Sequence, residues 1–150
     1  LFVEEFAVKE GVPAGVVQVE IADRGAIVFD RSHLHQVLWN LVGNAWRHSR
    51  RGIGSIRLRV QDGDRSHRID LHVIDDGDGV DEAHREQIFE PFFTTHSRGT
   101  GLGLYIAREL SDANGATLDF VDNSPGAHFR LRGLNRSLDE SWNGGGLRGS

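Results

Sequence analysis

The spacing of apolar and polar residues changes period several times along the chain, and each change marks an element. After a turn at 11–15, Val17, Val19 and Ile21 alternate with polar neighbours and predict a strand. Beyond a turn at 22–25, Ile27 and Phe29 predict a short second strand. The period then becomes helical. Leu34, Val37, Leu38, Leu41, Val42 and Ala45 form the apolar stripe of an amphipathic helix, with Asp30 as its N-cap and Ser49-Arg50-Arg51-Gly52 as its end. Ile56, Leu58 and Val60 alternate with Arg57 and Arg59, a strand with one wet face. The turn Asp62-Gly63-Asp64 leads into an antiparallel strand, Ile69 to Ile74, that ends in Asp75. Asp81 and Glu82 open a short helix through His84, Arg85 and Gln87, and the aromatic run Ile88 to Phe93 follows, stopped by Pro91. Leu104 to Leu110 predicts a helix closed by Asn114-Gly115. Leu118 and Phe120, then Phe129 and Leu131, mark two last strands. Residues 1–10 mix apolar and acidic positions and read as the remnant of a preceding segment. One domain covers 11–133, and 134–150 reads as a mobile tail of low burial capacity.

Composition narrows the class. A chain of 150 residues with 38% apolar and 26% charged residues suits a soluble domain with its own core. The formal net charge of -5 argues against a duplex nucleic-acid binder, which needs a basic face. The chain has no cysteine, so disulfides and zinc–thiolate sites are excluded. No apolar run approaches the roughly 20 residues of a membrane span, and the first residues do not resemble a signal peptide.

Three stretches carry candidate chemistry. In Asp75-Asp76-Gly77-Asp78-Gly79 a buried strand ends in a carboxylate beside a loop that lets a ligand approach the backbone. The bland reading is a plain Asp-Gly turn. On the predicted helix, Asn40, Asn44, Arg47 and His48 share one face at the border of the apolar stripe. They fit a solvated flank, yet Asn is a poor interior helix residue. Gly99-Thr100-Gly101-Leu102-Gly103-Leu104 feeds a helix N-terminus, where unpaired N–H groups and the helix dipole favour an anion such as phosphate. It is neither a dinucleotide fingerprint nor a Walker A loop.

Together the segments resemble one family. Leu38-Trp39-Asn40-Leu41-Val42-Gly43-Asn44-Ala45 resembles the N box of the GHKL ATPases in its histidine-kinase form, and Asp75-x-Gly77-x-Gly79 resembles the G1 box. Ile88-Phe89-Glu90-Pro91-Phe92-Phe93-Thr94-Thr95 resembles the F box, and Gly99 to Leu104 the G2 box. Order and spacing agree over 16–132, and the wording around the boxes is most similar to sensor kinases of type IV pilus regulation, the PilS group. The resemblance implies an α/β two-layer sandwich, the Bergerat fold: a mixed, mostly antiparallel sheet covered on one face by helices. It implies ATP between the N-box helix and the loop after the F box. Asp75 then accepts from the adenine amino group, and Gly79 lets the backbone approach the base, with Gly77 and Val80 beside it. Asn44 is the implied Mg²⁺ ligand, with Asn40 near the phosphates. Arg47 matches the basic position that reaches phosphate, and His48 the ring that stacks on adenine. Gly101, Leu102 and Gly103 wrap the triphosphate, and Thr94, Thr95, Thr100 and Leu104 complete the ATP-binding set. Asn40, Asn44 and Arg47 form the implied catalytic set.

The implied activity is a protein-histidine kinase that uses Mg-ATP. Its partners are a histidine on its own dimerisation domain and, for onward transfer, an aspartate of a response regulator. None of the eight histidines stands in a His-Glu context, so the phosphoacceptor is expected outside these residues. The domain is expected to be monomeric and cytoplasmic, as the cytoplasmic part of a membrane-bound sensor, with no nucleic-acid or membrane contact of its own. Three positions depart from the pattern. His96 stands where many relatives have Lys, and His128 lies near a position that is often a small hydroxyl residue. Asn40 stands where other branches have a Glu that activates water; an amide is no general base, so ATP is held for transfer rather than hydrolysed quickly. A degenerate nucleotide-sensing module and a serine kinase of the anti-sigma-factor type are the alternatives. Intact Asn44, Asp75 and G2 glycines speak against the first, and Phe92-Phe93-Thr94-Thr95 against the second.

Overall fold

Five strands alternate apolar and polar residues, and pairing them puts the two kinds on opposite faces of one sheet. The structure, a computed structural model, describes residues 2–22, 27–63, 67–94, 101–123 and 126–134. The turn read at 22–25 lies largely outside these residues, as do the segment 95–100 and the tail from 135 on. The edge strand β1 (Val17–Ile21) runs parallel to β2 (Ile56–Asp62). Next come β3 (Arg68–Asp75), then β5 (Ala127–Leu134) and β4 (Thr117–Asn123), all antiparallel to their neighbours. The sheet is therefore mixed and mostly antiparallel, as the family resemblance implies.

In register, Leu58, Val73, Phe129 and Phe120 form one apolar row across the sheet, and Leu71, Leu131 and Leu118 the next. Helices α2 (Arg31–His48) and α3 (Gly103–Ala113) cover this face. Val37, Leu41, Val42 and Ala45 of α2 and Ala107 of α3 join Ile56, Leu58, Val73, Leu118, Phe129 and Leu131 in one buried cluster. The opposite face carries Arg59, His72, Arg130 and Asp119 in one row and Gln61, Asp70, Arg132 and Thr117 in the next. There Asp70, 3% exposed, takes a two-pronged bond from Arg132 at 2.6 and 2.7 Å.

Local signals set the helix ends. Asp30 caps α2 by accepting from the His33 N–H at 2.9 Å. Asn114, just past α3, accepts from the Asp30 N–H at 2.7 Å and donates to the Leu110 carbonyl at 2.7 Å, tying the end of one helix to the start of the other.

Two elements differ from the sequence expectation. The strand expected at Ile27 and Phe29 is a single bridge, in which Val28 N–H donates to the Leu134 carbonyl at 2.9 Å. The chain must turn into α2 at Arg31, which leaves no length for a ladder. The helix expected from Asp81 to Gln87 is a 3₁₀ turn at Glu82–His84 followed by further tight turns. Of residues 81–90 only Ile88 is buried, so no apolar stripe holds a longer helix there. Residues 2–10 form a helix, α1 (Phe2–Glu10), that packs on the domain: Phe6 is 1% exposed and meets the Trp39 ring edge-on at 4.9 Å.

Candidate functional site

α2 carries the polar stripe along one wall of a cleft of about 980 Å³. Asn40 and Asn44 are partly buried one turn apart, and Arg47 and His48 are exposed at the rim. Asn40 Nδ2 is buried with no hydrogen-bond partner among the described residues. Such a group costs about 1–3 kcal/mol, which a ligand oxygen would offset. Across from it begins α3. A Cβ added to Gly103 would lie 3.7 Å from Asn40 Oδ1, and the first turn of α3 has no side-chain cap. The open N–H groups of a helix start therefore stand opposite two carboxamides. Arg47 is exposed as a residue, but its guanidinium lies against the cleft wall at Gly43, and the water lost there pushes it down from its ordinary value, while the charge of Glu10, another residue of that wall, pushes it up.

β3 delivers Asp75 to a buried place behind the cleft wall, 3% exposed. Its Oδ1 accepts from the Gly77 N–H at 2.8 Å and the Ala127 N–H at 3.2 Å, while Oδ2 has no partner among the described residues. Burial pushes the carboxyl above its ordinary range, against those two N–H groups, and the neighbouring Asp76 charge adds to the rise. Two glycines make this packing feasible. A Cβ on Gly126 would strike Asp75 Oδ1, and one on Gly77 would strike the His48 carbonyl oxygen. Gly79 holds φ +79° beside Asn123, whose carboxamide accepts from the Val80 N–H at 2.9 Å and donates to the Val80 carbonyl at 3.2 Å. That double bond fixes the Gly79–Val80 wall of the cleft.

The aromatic run anchors the remaining wall. Ile88 is buried, and Phe89 lies edge-on to Phe129 at 6.0 Å with the Arg108 guanidinium 3.8 Å above it. Phe92 adopts φ +68°, unusual for a residue with a side chain, and its N–H donates to the Gly101 carbonyl at 2.7 Å. Gly101, at φ +76°, leaves room for that contact, since a Cβ there would collide with the Phe92 backbone.

One cleft thus brings together Asn40, Asn44, Arg47, His48, Gly79, Val80, Thr94, Gly101, Gly103 and Leu104. Asp75 and Gly77 lie buried behind its wall, next to Ala127, and Leu102 is the N-cap residue of α3. Thr95, His96 and Thr100 lie outside the described residues. The residue set against Asp75 is Ala127, through its N–H, and not His128. His128 points to the opposite face of the sheet, where its Nε2 lies 2.7 Å from His72 Nδ1. Sequence reading missed Gly126 and Ala127, although a Pro-Gly pair opening a strand was a usable signal. It also missed Glu10, Trp46, Asp81 and His84 at the rim. Among the described residues no three His, Cys, Asp or Glu side chains cluster as metal ligands, and no helix is long and apolar enough to cross a membrane.

Comparison with known proteins shows the family and the fold. The family model described as "Histidine kinase-, DNA gyrase B-, and HSP90-like ATPase" matches residues 29–136. The sensor protein kinase PilS of Pseudomonas aeruginosa is 46% identical over 105 residues, covering 68% of this chain and 20% of its own length. The chain thus spans about a fifth of that relative. Among solved structures, the catalytic domain of histidine kinase ThkA is similar at a TM-score of 0.71 with 27% identity, covering 89% of this chain and 92% of that one. Full-length ShkA in complex with AMPPNP is similar at 0.68 and 27% identity, covering 89% and 30%.

Proposed function

Because the chain belongs to the family of histidine kinase-, DNA gyrase B- and HSP90-like ATPases, we propose that its cleft binds Mg-ATP and presents the γ-phosphoryl group to a histidine of a dimerisation domain. The observation that carries this reading is Asp75, with one oxygen held by two backbone N–H groups and the other left for a ligand donor. Asp75 Oδ2 accepts from the adenine amino group, with the base against Gly79, Val80 and Ala127. The triphosphate extends towards the start of α3, where Gly101, Leu102 and Gly103 supply N–H donors. Asn40 Nδ2 finds in a phosphate oxygen the acceptor it lacks.

The cleft fits a Mg²⁺ ion shared with the phosphates. Such an ion needs only one or two protein oxygens, and the carboxamides here supply them without an acidic cluster. Asn44 would hold it. When bound, the ion neutralises charge on the β- and γ-phosphates. Arg47 adds positive charge at the rim, and His48 stacks on the base. Thr94 borders the phosphates, and Leu104 closes the set. Asn40, as an amide, cannot take a proton from water, so the site keeps ATP for transfer.

The names of PilS, a sensor protein kinase, and ThkA, a histidine kinase, support a sensor histidine kinase, and the AMPPNP in the complex of full-length ShkA supports a nucleotide ligand. The whole protein would pass phosphate on to an aspartate of a response regulator. We place this domain in the cytoplasm, in a membrane-bound sensor, and as a monomer when isolated.

Calorimetric titration with AMPPNP, with and without Mg²⁺, tests the reading. Binding should strengthen with Mg²⁺, and Asp75→Asn should weaken it roughly ten- to a hundredfold. Equal binding by the variant would remove Asp75 as the base acceptor, and no binding by the wild type would overturn the proposal. Incubation with labelled ATP and a histidine-phosphotransfer domain tests the acceptor, and label on serine would refute the kinase class.

A further inference from the structure

The geometry points to Asp76 as a positioning residue that holds Asp75 in register with the asparagines of α2. The inference rests on the ATP reading above and deepens it. Asp76 does not line the cleft. Its side chain instead joins two segments that the chain separates from it. Oδ1 accepts from the Arg50 N–H at 2.9 Å and Oδ2 from the Ser55 hydroxyl at 2.8 Å. The Asp76 carbonyl accepts from Arg50 Nε at 3.0 Å. Ser55 is 2% exposed, and its oxygen also accepts from the Gly52 N–H at 2.8 Å, so its one proton is directed at Asp76.

Arg50 lies two residues past α2, and Ser55 immediately precedes β2. The end of α2 is itself fixed, since Arg51 Nε donates to the Trp46 carbonyl at 3.2 Å and the Arg51 guanidinium lies 4.3 Å from the Trp46 ring centre. Beside this contact Gly77 packs against the His48 carbonyl. The end of β3 is thus bonded through Asp76 to the segment that joins α2 to β2, and through Gly77 packed against the last residue of α2, at the two positions that follow Asp75. From the other strand, Gly126 and Ala127 hold Asp75 alone. Removing the Asp76 carboxylate takes away the bonds to the Arg50 N–H and the Ser55 hydroxyl; the β2 pairing at Ile56, the Gly77 contact and the hold of Gly126 and Ala127 keep Asp75 in the sheet but let its carboxylate shift relative to Asn40 and Asn44.

A carboxylate suits this place because it offers two acceptors to two donors from different segments. Partial burial pushes the Asp76 carboxyl up, but the Arg50 N–H, the Ser55 hydroxyl and the Arg50 charge outweigh it and keep the group below its ordinary range.

The test separates positioning from simple support of the fold. Wild type, Asp76→Ala, Asp76→Asn and Ser55→Ala are titrated with ATP and with purine riboside triphosphate, which lacks the 6-amino group, and each melting temperature is measured. Wild type should prefer ATP by about tenfold or more, the worth of a hydrogen bond to a charged acceptor. Asp76→Ala should cut that preference to about threefold or less, with affinity for the purine analogue changed less than about twofold. Asp76→Asn, which keeps an acceptor for Arg50, should recover most of the preference, and Ser55→Ala should fall between. Equal loss of both nucleotides in Asp76→Ala, tracking its melting temperature, would make Asp76 merely structural. An undiminished preference in Asp76→Ala also overturns the inference and leaves the ATP reading intact. Where Asp76→Ala does not fold, an undiminished preference in Ser55→Ala decides against it. A wild type without preference for ATP overturns both readings together.

Discussion

Asp75 is ionisable, 3% exposed and held above its ordinary carboxyl value of 3.8 by burial, against two backbone N–H groups. A carboxyl raised in the folded state contributes stability that is complete below the unfolded value and is lost as pH rises through the folded one. Ionising Asp75 therefore opposes folding, although the proposed bond to the adenine amino group calls for the ionised form. Asp75→Asn should leave the apo domain at least as stable as wild type at pH 7, with the advantage shrinking as pH falls toward 3.8. Urea denaturation across that range checks it; a less stable variant at pH 7 would contradict it. Gly77 shows the opposite balance. A methyl group there strikes the His48 carbonyl, so Gly77→Ala should cost about 1–3 kcal/mol, as overpacking commonly does. It should weaken ATP binding as well, because it pushes the end of β3 off α2. A variant with wild-type stability would show that the backbone yields freely at this point.

At the scale of elements, Asn114 joins α3 to α2 by accepting from Asp30 N–H and donating to Leu110 O, with His33 Nδ1 3.0 Å away. Asn114→Ala leaves the partly buried Leu110 carbonyl and the exposed Asp30 N–H without this partner and should cost about 1 kcal/mol. The contact lies at the end of α3 away from the cleft, so AMPPNP affinity should change by less than about twofold. Paired denaturation and titration measurements decide; a matching loss of affinity would mean the helix junction controls the site. The elements also differ in how readable they were. α2, β2, β3, α3, β4 and β5 announce themselves through sustained periods ending in Asp, Asn or Gly. The bridge at Ile27 does not, because three residues carry no period. The turns after Asp81 mimic a helix start but lack the apolar stripe that would extend one. α1 looks detachable in sequence, and it takes residues distant along the chain, Trp39 among them, to show that Phe6 has somewhere to pack. The site divides likewise. The asparagines and glycines were legible because their spacing matches family boxes. Asp76 with Ser55, and Asp75 with Ala127, were not, since those partners lie 21 and 52 positions apart.

Across the whole molecule the sheet separates two kinds of titration. One face meets the helices and the cleft. On the other, His72 is 6% exposed, with Nδ1 2.7 Å from His128 Nε2, and its own Nε2 has no partner among the described residues. Arg59 and Arg130 flank His72 in its row, Asp70 lies in the next, and Arg57 and Asp122 act on His128. Burial, then His128, Arg130 and Arg59, lower the His72 pKa from 6.5 to about 4 against the pull of Asp70. Burial and the arginines lower His128 too. Here the unfolded chain takes up the proton first. The stability that depends on neutral His72 is present above pH 6.5 and is lost as pH falls toward about 4. This runs opposite to Asp75, so the two contributions separate only in variants. His72→Gln keeps a hydrogen-bonding group beside His128 but cannot titrate. Its stability relative to wild type should rise steadily as pH is lowered from 7 to 5, while AMPPNP affinity at pH 7 stays within about twofold because the pair lies on the face away from the cleft. Denaturation curves at stepped pH give the first quantity and calorimetry the second. A pH-independent gap between variant and wild type would mean that the His72 proton is not what the sheet excludes. A large loss of affinity would mean that strain on β3 reaches Asp75 through the strand they share.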